Sequence, residues 1–198
     1  MKHMQITVLN KKDYRKTIWK GGTSTELFIY PPLASYKERN FQLRISKAKV
    51  KQPNSTFTTL PNYQRVLHLL KGTFLLNHAS VGINLVLPGD TILFEGSWET
   101  QCIGVGSDFN LMYSGPGNGN IVNQIVLAGD YLSLQTEKLG QLNFIYILKG
   151  KVNVLIKNQE IKLRKHQSLI AYDKEVLDSL IIEAGKDTQL IQVSYSDI

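Results

Sequence analysis

The sequence predicts an all-β chain in which one set of short strands is used twice, and three observations predict it. Apolar and polar residues alternate with a period of two along much of the chain, glycine and proline interrupt the alternation, and three segments of the first half recur in order in the second. With 198 residues, 42% of them hydrophobic and 20% charged, the chain has apolar material for one large core or two small ones.

Between Met1 and Lys12 no apolar run has the length of a signal-peptide core, and no later stretch approaches a membrane span. A cytoplasmic protein without a membrane partner is expected. Pro31-Pro32 breaks the first strands, and Tyr36 to Asn40 forms a turn at most. Phe41, Leu43 and Ile45 then alternate with Gln42, Arg44 and Ser46, the pattern of a half-buried strand. The apolar phase flips at Ala48 and Val50, which predicts a bulge near Ser46 and Lys47. Pro88-Gly89-Asp90 marks a further turn, and only Gly115-Pro116-Gly117-Asn118-Gly119 has the make-up of a connector between larger units. The halves are therefore expected at 1–116 and 117–198. In the second half Val152, Val154 and Ile156 again alternate with Asn153, Leu155 and Lys157. No window of a dozen residues carries helical spacing.

Leu67–Gly72 is matched by Ile145–Gly150, Asp90–Phe94 by Gln167–Ala171, and Phe109–Ser114 by Thr188–Val193, at a nearly constant offset of about 78 residues. Each copy includes a Lys-Gly pair, Lys71-Gly72 and Lys149-Gly150, whose glycine is expected to supply the positive φ of a tight hairpin. Short strands with tight turns, used twice, fit a jelly roll or double-stranded β-helix in each half.

Several segments carry a resemblance to a known family. Trp19–Leu27 (WKGGTSTEL), Phe41–Ala48 (FQLRISKA), Ser55–Leu67 (STFTTLPNYQRVL) and Asp108–Met112 (DFNLM) occur in the order found in the HutD/Ves family, which the chain resembles over residues 19–112. Gly21 and Leu43 stand where the commoner pattern has Asn and Trp. The resemblance implies a bicupin, two cupin halves in one chain, that moderates histidine utilisation by binding a small metabolite.

Metal-dependent cupins bring several imidazoles and a carboxylate onto one ion, commonly through His-x-His. Here the histidines are His3, His68, His78 and His166, none so spaced, and neither a metal nor another cofactor is expected. The single cysteine, Cys102, lies in an apolar strand-like stretch and is expected to be a buried, inert thiol. A formal net charge of +7 favours anionic partners, but no block of five or six basic residues occurs. Lys47, Lys49 and Lys51 are expected to form a solvated strand face, without nucleic-acid binding.

Arg44 and Arg65 are the candidate anion receptors, because a guanidinium takes a carboxylate through two parallel hydrogen bonds. The alternation places Gln42, Arg44 and Ser46 towards a barrel mouth; the competing reading pairs Arg44 with Glu26 or Asp108. Glu26 and Asp108 are candidate acid/base groups, with a local turn interaction as the alternative for Asp108. Asn110 offers a donor and an acceptor. His68 shares a face with Val66 and Leu70 and either points into the barrel or is a packed core residue. Trp19 stacks on a planar ligand or plugs a barrel end. These residues define a metal-independent site for a small anionic metabolite. Two alternatives stand beside it: a metal-independent isomerase, lyase or hydrolase that uses Glu26 or Asp108 with His68 as acid and base on a small amide or imidazole-derived compound, and a protein-binding module using an exposed sheet edge or the basic Lys47–Lys51 face. A homodimer is compatible with each.

Overall fold

The structure, a computed structural model, describes residues 4–135, 138–172 and 179–196. Its first strands are β1 (Gln5–Leu9), β2 (Arg15–Trp19), β3 (Gly22–Tyr30), β4 (Leu43–Val50), β5 (Asn54–Thr56) and β6 (Tyr63–Gly72). They are followed by β7 (Phe74–His78), β8 (Gly82–Val86), β9 (Thr91–Glu95), β10 (Thr100–Ile103) and β11 (Gly106–Ser114). The later strands are β12 (Asn118–Val126), β13 (Tyr131–Gln135), β14 (Leu142–Ile156), β15 (Gln159–Arg164), β16 (Ser168–Tyr172) and β17 (Ser179–Ser196). No α-helix occurs among the described residues, and hence none long and apolar enough to cross a membrane.

Two compact units result. Tyr14–Pro116 carries β2 to β11, and β1 joins β12 to β17 in the other. The residues before Asp13 thus go with the C-terminal strands rather than with residues 14–116. Physically, β1 pairs antiparallel with β16, Ile6 opposite Ala171, and Met4, Ile6 and Val8 pack on that unit's aliphatic core.

The first unit has two antiparallel sheets, β2-β3-β4-β11-β6-β9 and β5-β10-β7-β8. Between them lies a core of Val50, Phe57, Leu67, Leu69, Phe74, Leu76, Val86, Phe94 and Cys102. In the second unit the strands run β1-β16-β14-β17-β12, with β13 on β17 and β15 on β14. The two strand orders correspond: β4-β11-β6-β9 matches β12-β17-β14-β16, and β5-β10-β7-β8 matches β13-β17-β14-β15. Long β14 and β17 each do the work of two strands of the first unit. The turn before the matching strands is also the same. Leu69 N–H donates to Asp90 O and Gly89 N–H to Leu69 O, while Ile147 N–H donates to Gln167 O and His166 N–H to Ile147 O. His166 takes the left-handed backbone conformation that Gly89 takes in the first copy.

Three expectations need correction. The glycines of Lys71-Gly72 and Lys149-Gly150 do have positive φ, 90° and 96°, but neither lies in a hairpin: Gly72 ends β6 just before β7 begins in the other sheet, and Gly150 lies within continuous β14, where its register on β17 shifts. Backbone there is packed too closely for a side chain. Second, β4 pairs with β11 without interruption through Ser46 and Lys47. The bulge lies instead in β3, where Glu26 faces Ser46, Phe28 faces Ile45 and Leu27 is the extra residue. The apolar phase changes because one strand face lines a polar cavity at Arg44 and Ser46 and apolar interior at Val50. Third, Leu67 lies opposite Asn110 and Ile145 opposite Gln192, so Asn110 corresponds to Gln192 rather than to Gln189. The register shifts of β14 between Ile147 and Val152 absorb the extra residues of β17.

Candidate functional site

Residues directly opposite on neighbouring antiparallel strands point to the same face. Met112 of β11 faces Arg44 of β4 on one side and Arg65 of β6 on the other. Two residues along, Ser46, Asn110 and Leu67 form the next row, and Ala48, Asp108 and Leu69 the third. Three strands therefore turn two guanidiniums, a carboxyl and an amide to one side of the sheet. A cavity of about 290 Å³ opens there. Of the seven residues singled out from sequence, Trp19, Glu26, Arg44, Arg65, Asp108 and Asn110 line it.

His68 does not. Three residues beyond Arg65 on the same strand, it faces the other side of the sheet, where it is buried with Nδ1 2.8 Å from Thr91 Oγ1. It is a packed histidine, and burial holds its imidazole below the usual value.

The two arginines differ in what holds them. Arg44 is anchored: Nε donates to Glu26 Oε2 at 2.8 Å, an Nη to Ser46 Oγ at 3.0 Å, and the guanidinium lies 4.5 Å from the centre of the Tyr36 ring. Exposed Arg15 reaches the other oxygen of Glu26 at 4.0 Å. Arg44 thus fulfils the structural-pair alternative. Arg65 is buried too, but among the described residues it makes one hydrogen bond, from an Nη to the Thr58 carbonyl at 3.3 Å, and its Nε–H meets no acceptor. No carboxylate oxygen of the described residues lies within 4.0 Å of it. Phe57 and Phe94 flank its guanidinium at 5.0 and 5.2 Å. Burial lowers its pKa, Arg44 adds to that, and Tyr36 and Asp108 oppose it.

Asp108 lies within β11 rather than in a turn, so the local-turn reading does not apply. Burial raises its pKa, against the lowering effects of the Asn110 amide and Arg65. Asn110 Nδ2 donates to Asp108 Oδ2 at 2.9 Å. Trp19 borders the cavity and packs on the core, folded over Gly21, where an added Cβ would lie 2.0 Å from the indole ring. Sequence reading missed Tyr36, Phe57 and Arg15. Phe57 lies in a segment that carried the family resemblance, whereas Tyr36 comes from a turn with no periodic signal.

The cavity wall does not suit a metal ion. It contains no histidine or cysteine, Glu26 is engaged by Arg44 and Asp108 by Asn110. The described residues hold no cluster of three or more His, Cys, Asp or Glu side chains placed to hold an ion. Cys102 is buried and lies outside this cavity, its thiol pushed up to about 12 by burial and by Asp108.

The second unit lacks these charges. Register places Asn120, Asn143 and Leu190 at the positions of Arg44, Arg65 and Asp108. Asn143 is satisfied locally by both the N–H and the carbonyl of Gly140, and Gln192 donates to Lys138 O at 2.8 Å.

Buried His68 and His78 make stability depend on pH. Burial holds both imidazoles below the usual 6.5. Between that value and their lower folded values the unfolded chain binds more protons, so their contribution is complete above about pH 6.5 and is lost as pH falls through the folded values. Asp108, raised in the fold, acts in the opposite direction, its contribution fading as pH rises through its folded value. The urea midpoint is expected to fall between pH 7.5 and 5, and to fall less in His78→Gln than in the unaltered chain.

Strand order and cavity together define a cupin-type protein. Protein PA5104 of Pseudomonas aeruginosa PAO1, a conserved protein of unknown function, superposes with a TM-score of 0.82 at 19% identity, covering 98% of this chain and 100% of that one. HutD of Pseudomonas fluorescens SBW25, solved in a formate condition, gives 0.68 at 22% identity over 96% and 99%. YhhW of Escherichia coli gives 0.69 at 11% over 96% and 97%. No curated protein matches by sequence. The HutD family matches residues 11–190, and the chain belongs to that family.

Proposed function

We propose that the chain is a bicupin whose first unit binds a small carboxylate without a metal, as a sensor or modulator linked to histidine utilisation. The observation that carries this reading is Arg65, a buried guanidinium with an unsatisfied Nε–H and no carboxylate partner, beside a cavity. A buried cation of this kind costs several kcal/mol unless an anion or water meets it, and a carboxylate satisfies two of its donors at once. Arg44, fixed by Glu26, adds positive potential from the far end of the same row. Asn110 and the carboxyl of Asp108 meet the polar remainder of the ligand, and Trp19 and Tyr36 close the sides. Family membership supports the metabolic link. The corresponding strand orders support two cupin halves, and the uncharged residues at the matching positions of the second confine the anion site to the first.

Calorimetric titration tests the reading with aliphatic and imidazole-bearing carboxylates, each paired with its neutral amide. Carboxylates are expected to bind, and at about 100 times Kd to add ~2.7 kcal/mol of stability; amides are expected to do neither. Equal binding of acid and amide would overturn the reading. A second reading, proton transfer by Asp108, is favoured by its buried, raised carboxyl; turnover of any of these compounds, lost in Asp108→Asn, would establish it.

A further inference from the structure

Arg65 shares its cavity with a second buried group that lacks a partner. Asp108 is 2% exposed and gives Oδ2 to the Asn110 amide, while its Oδ1 meets no hydrogen-bond partner among the described residues. The two groups do not satisfy each other, since no salt bridge among the described residues joins them. Net charge decides what such a cavity accepts. Of the charged side chains on its wall, Arg44 and Glu26 form an ion pair, and Arg15 and Lys37 are exposed to screening by solvent. Arg65 and Asp108 remain. With Asp108 ionised they already cancel, and an entering carboxylate would leave the interior with an uncompensated negative charge. With Asp108 neutral, the ligand and Arg65 cancel instead. Two carboxyl groups that share a buried site do not both ionise readily, because burial and like charge act together against the second.

We propose that Asp108 is the second receptor group of this cavity: as a neutral carboxyl it donates Oδ1–H to the ligand carboxylate that Arg65 holds, while Oδ2 keeps the Asn110 amide. This role presupposes the carboxylate reading above and narrows it, since the ligand meets Asp108 with an acceptor oxygen and not with an N–H or ammonium group. The proton is already on Asp108 or comes from solvent. Burial favours the neutral form, against the lowering effects of Asn110, Arg65 and the backbone N–H groups of Asp108 and Ala48. Other titratable groups nearby play different parts. Cys102 of β10 stays a thiol, pushed up to about 12, and the Tyr36 ring lies against the Arg44 guanidinium. His78 of β7 lies 5.0 Å from the Phe94 ring that flanks Arg65. Protonated His78 would favour an anion as well, so its effect has to be separated from that of Asp108. A bound anion raises the titration midpoint of Asp108. By linkage, affinity falls by up to about tenfold per pH unit as pH rises from the free midpoint to the bound one.

Carbon-13 NMR of the Asp108 carboxyl, assigned through its own backbone in the full chain, tests this with butyrate as the probe. The carboxyl is expected to titrate at higher pH in the butyrate complex than in the free chain, and to be protonated in the complex at pH 7. This readout does not depend on any variant folding. Calorimetric affinity for butyrate is expected to fall as pH rises between the two midpoints, in His78→Gln as in the unaltered chain, and to lose this dependence in Asp108→Asn, whose amide is a neutral donor at every pH. Three results overturn the proposal while butyrate binding leaves the carboxylate reading intact: an Asp108 carboxyl ionised in the complex at pH 7, a midpoint that butyrate leaves in place or lowers, or a pH dependence that survives Asp108→Asn or disappears in His78→Gln. Butyrate without measurable binding between pH 5 and 9 overturns both.

Discussion

Replacing Arg65 with methionine is expected to raise the stability of the ligand-free protein and, in the same variant, to abolish its response to carboxylates. The opposite signs follow from the guanidinium's position. It is buried, lacks a carboxylate partner and leaves Nε–H unsatisfied, and apolar replacement of buried charge is commonly stabilising by about 1–4 kcal/mol. Against this stand two cation–π contacts, with Phe57 and Phe94, worth about 0.5–1 kcal/mol each. The Thr58 carbonyl belongs to an exposed residue and turns to water. Methionine fills a similar volume and keeps sulfur–aromatic contact, which recovers part of the loss. A net gain of about 1–2 kcal/mol raises Tm by roughly 2–8 °C in a chain of this size. Differential scanning fluorimetry with and without carboxylate reads both effects. Arg65→Lys separates charge from shape: it keeps the cation but not the planar fork, so binding should weaken without vanishing.

The largest loss of stability is expected from Gly72→Ala. A Cβ there would lie 2.1 Å from Val105 O and 2.7 Å from Gly106 Cα, both backbone atoms that cannot swing aside, at a φ of 90°. Strain and steric shift together are expected to cost about 3 kcal/mol or more, a fall in Tm of roughly 6–12 °C. Gly150→Ala should behave alike, since its Cβ would meet Thr188 Oγ1 at 2.1 Å and Asp187 O at 2.7 Å. Gly89→Ala is the control. Its φ is 99° but nothing lies within 4 Å of the added carbon, leaving only the left-handed backbone penalty of about 1–2 kcal/mol. Chemical denaturation of the three variants separates a crowded sheet corner from an ordinary turn.

These two glycines also show where sequence reasoning reaches its limit. Their recurrence identified the duplication, yet a positive φ is needed equally by a hairpin and by a sheet corner, and spacing does not distinguish them. Strand parity did place Arg44 on the cavity side, because β4 has a polar and an apolar face near its start. On β6 parity says little: Val66, Leu67, His68 and Leu69 are all buried, both faces look apolar, and the local pattern does not separate the face of His68 from that of Arg65. The third repeat match slipped by three residues for a related reason. Bulges in β14 change the count of residues along β17, and only cross-strand pairing reveals it. What no local pattern carries is the difference between Arg44 and Arg65, since it depends on Glu26 arriving from β3 within reach of Arg44, while Glu95 of β9 bonds Gln64 and Asp108 of β11 bonds Asn110.

The most direct measurement is NMR observation of the Arg65 Nε–H during titration with a carboxylate, assigned by comparison with Arg65→Lys. If the cavity is an anion receptor, this resonance moves downfield and its exchange with water slows as the ligand saturates, while Arg44 Nε–H, already bonded to Glu26, changes little. An Arg65 Nε–H signal unmoved at saturating ligand, with shifts confined to residues elsewhere, would contradict the assignment of this cavity as the binding site.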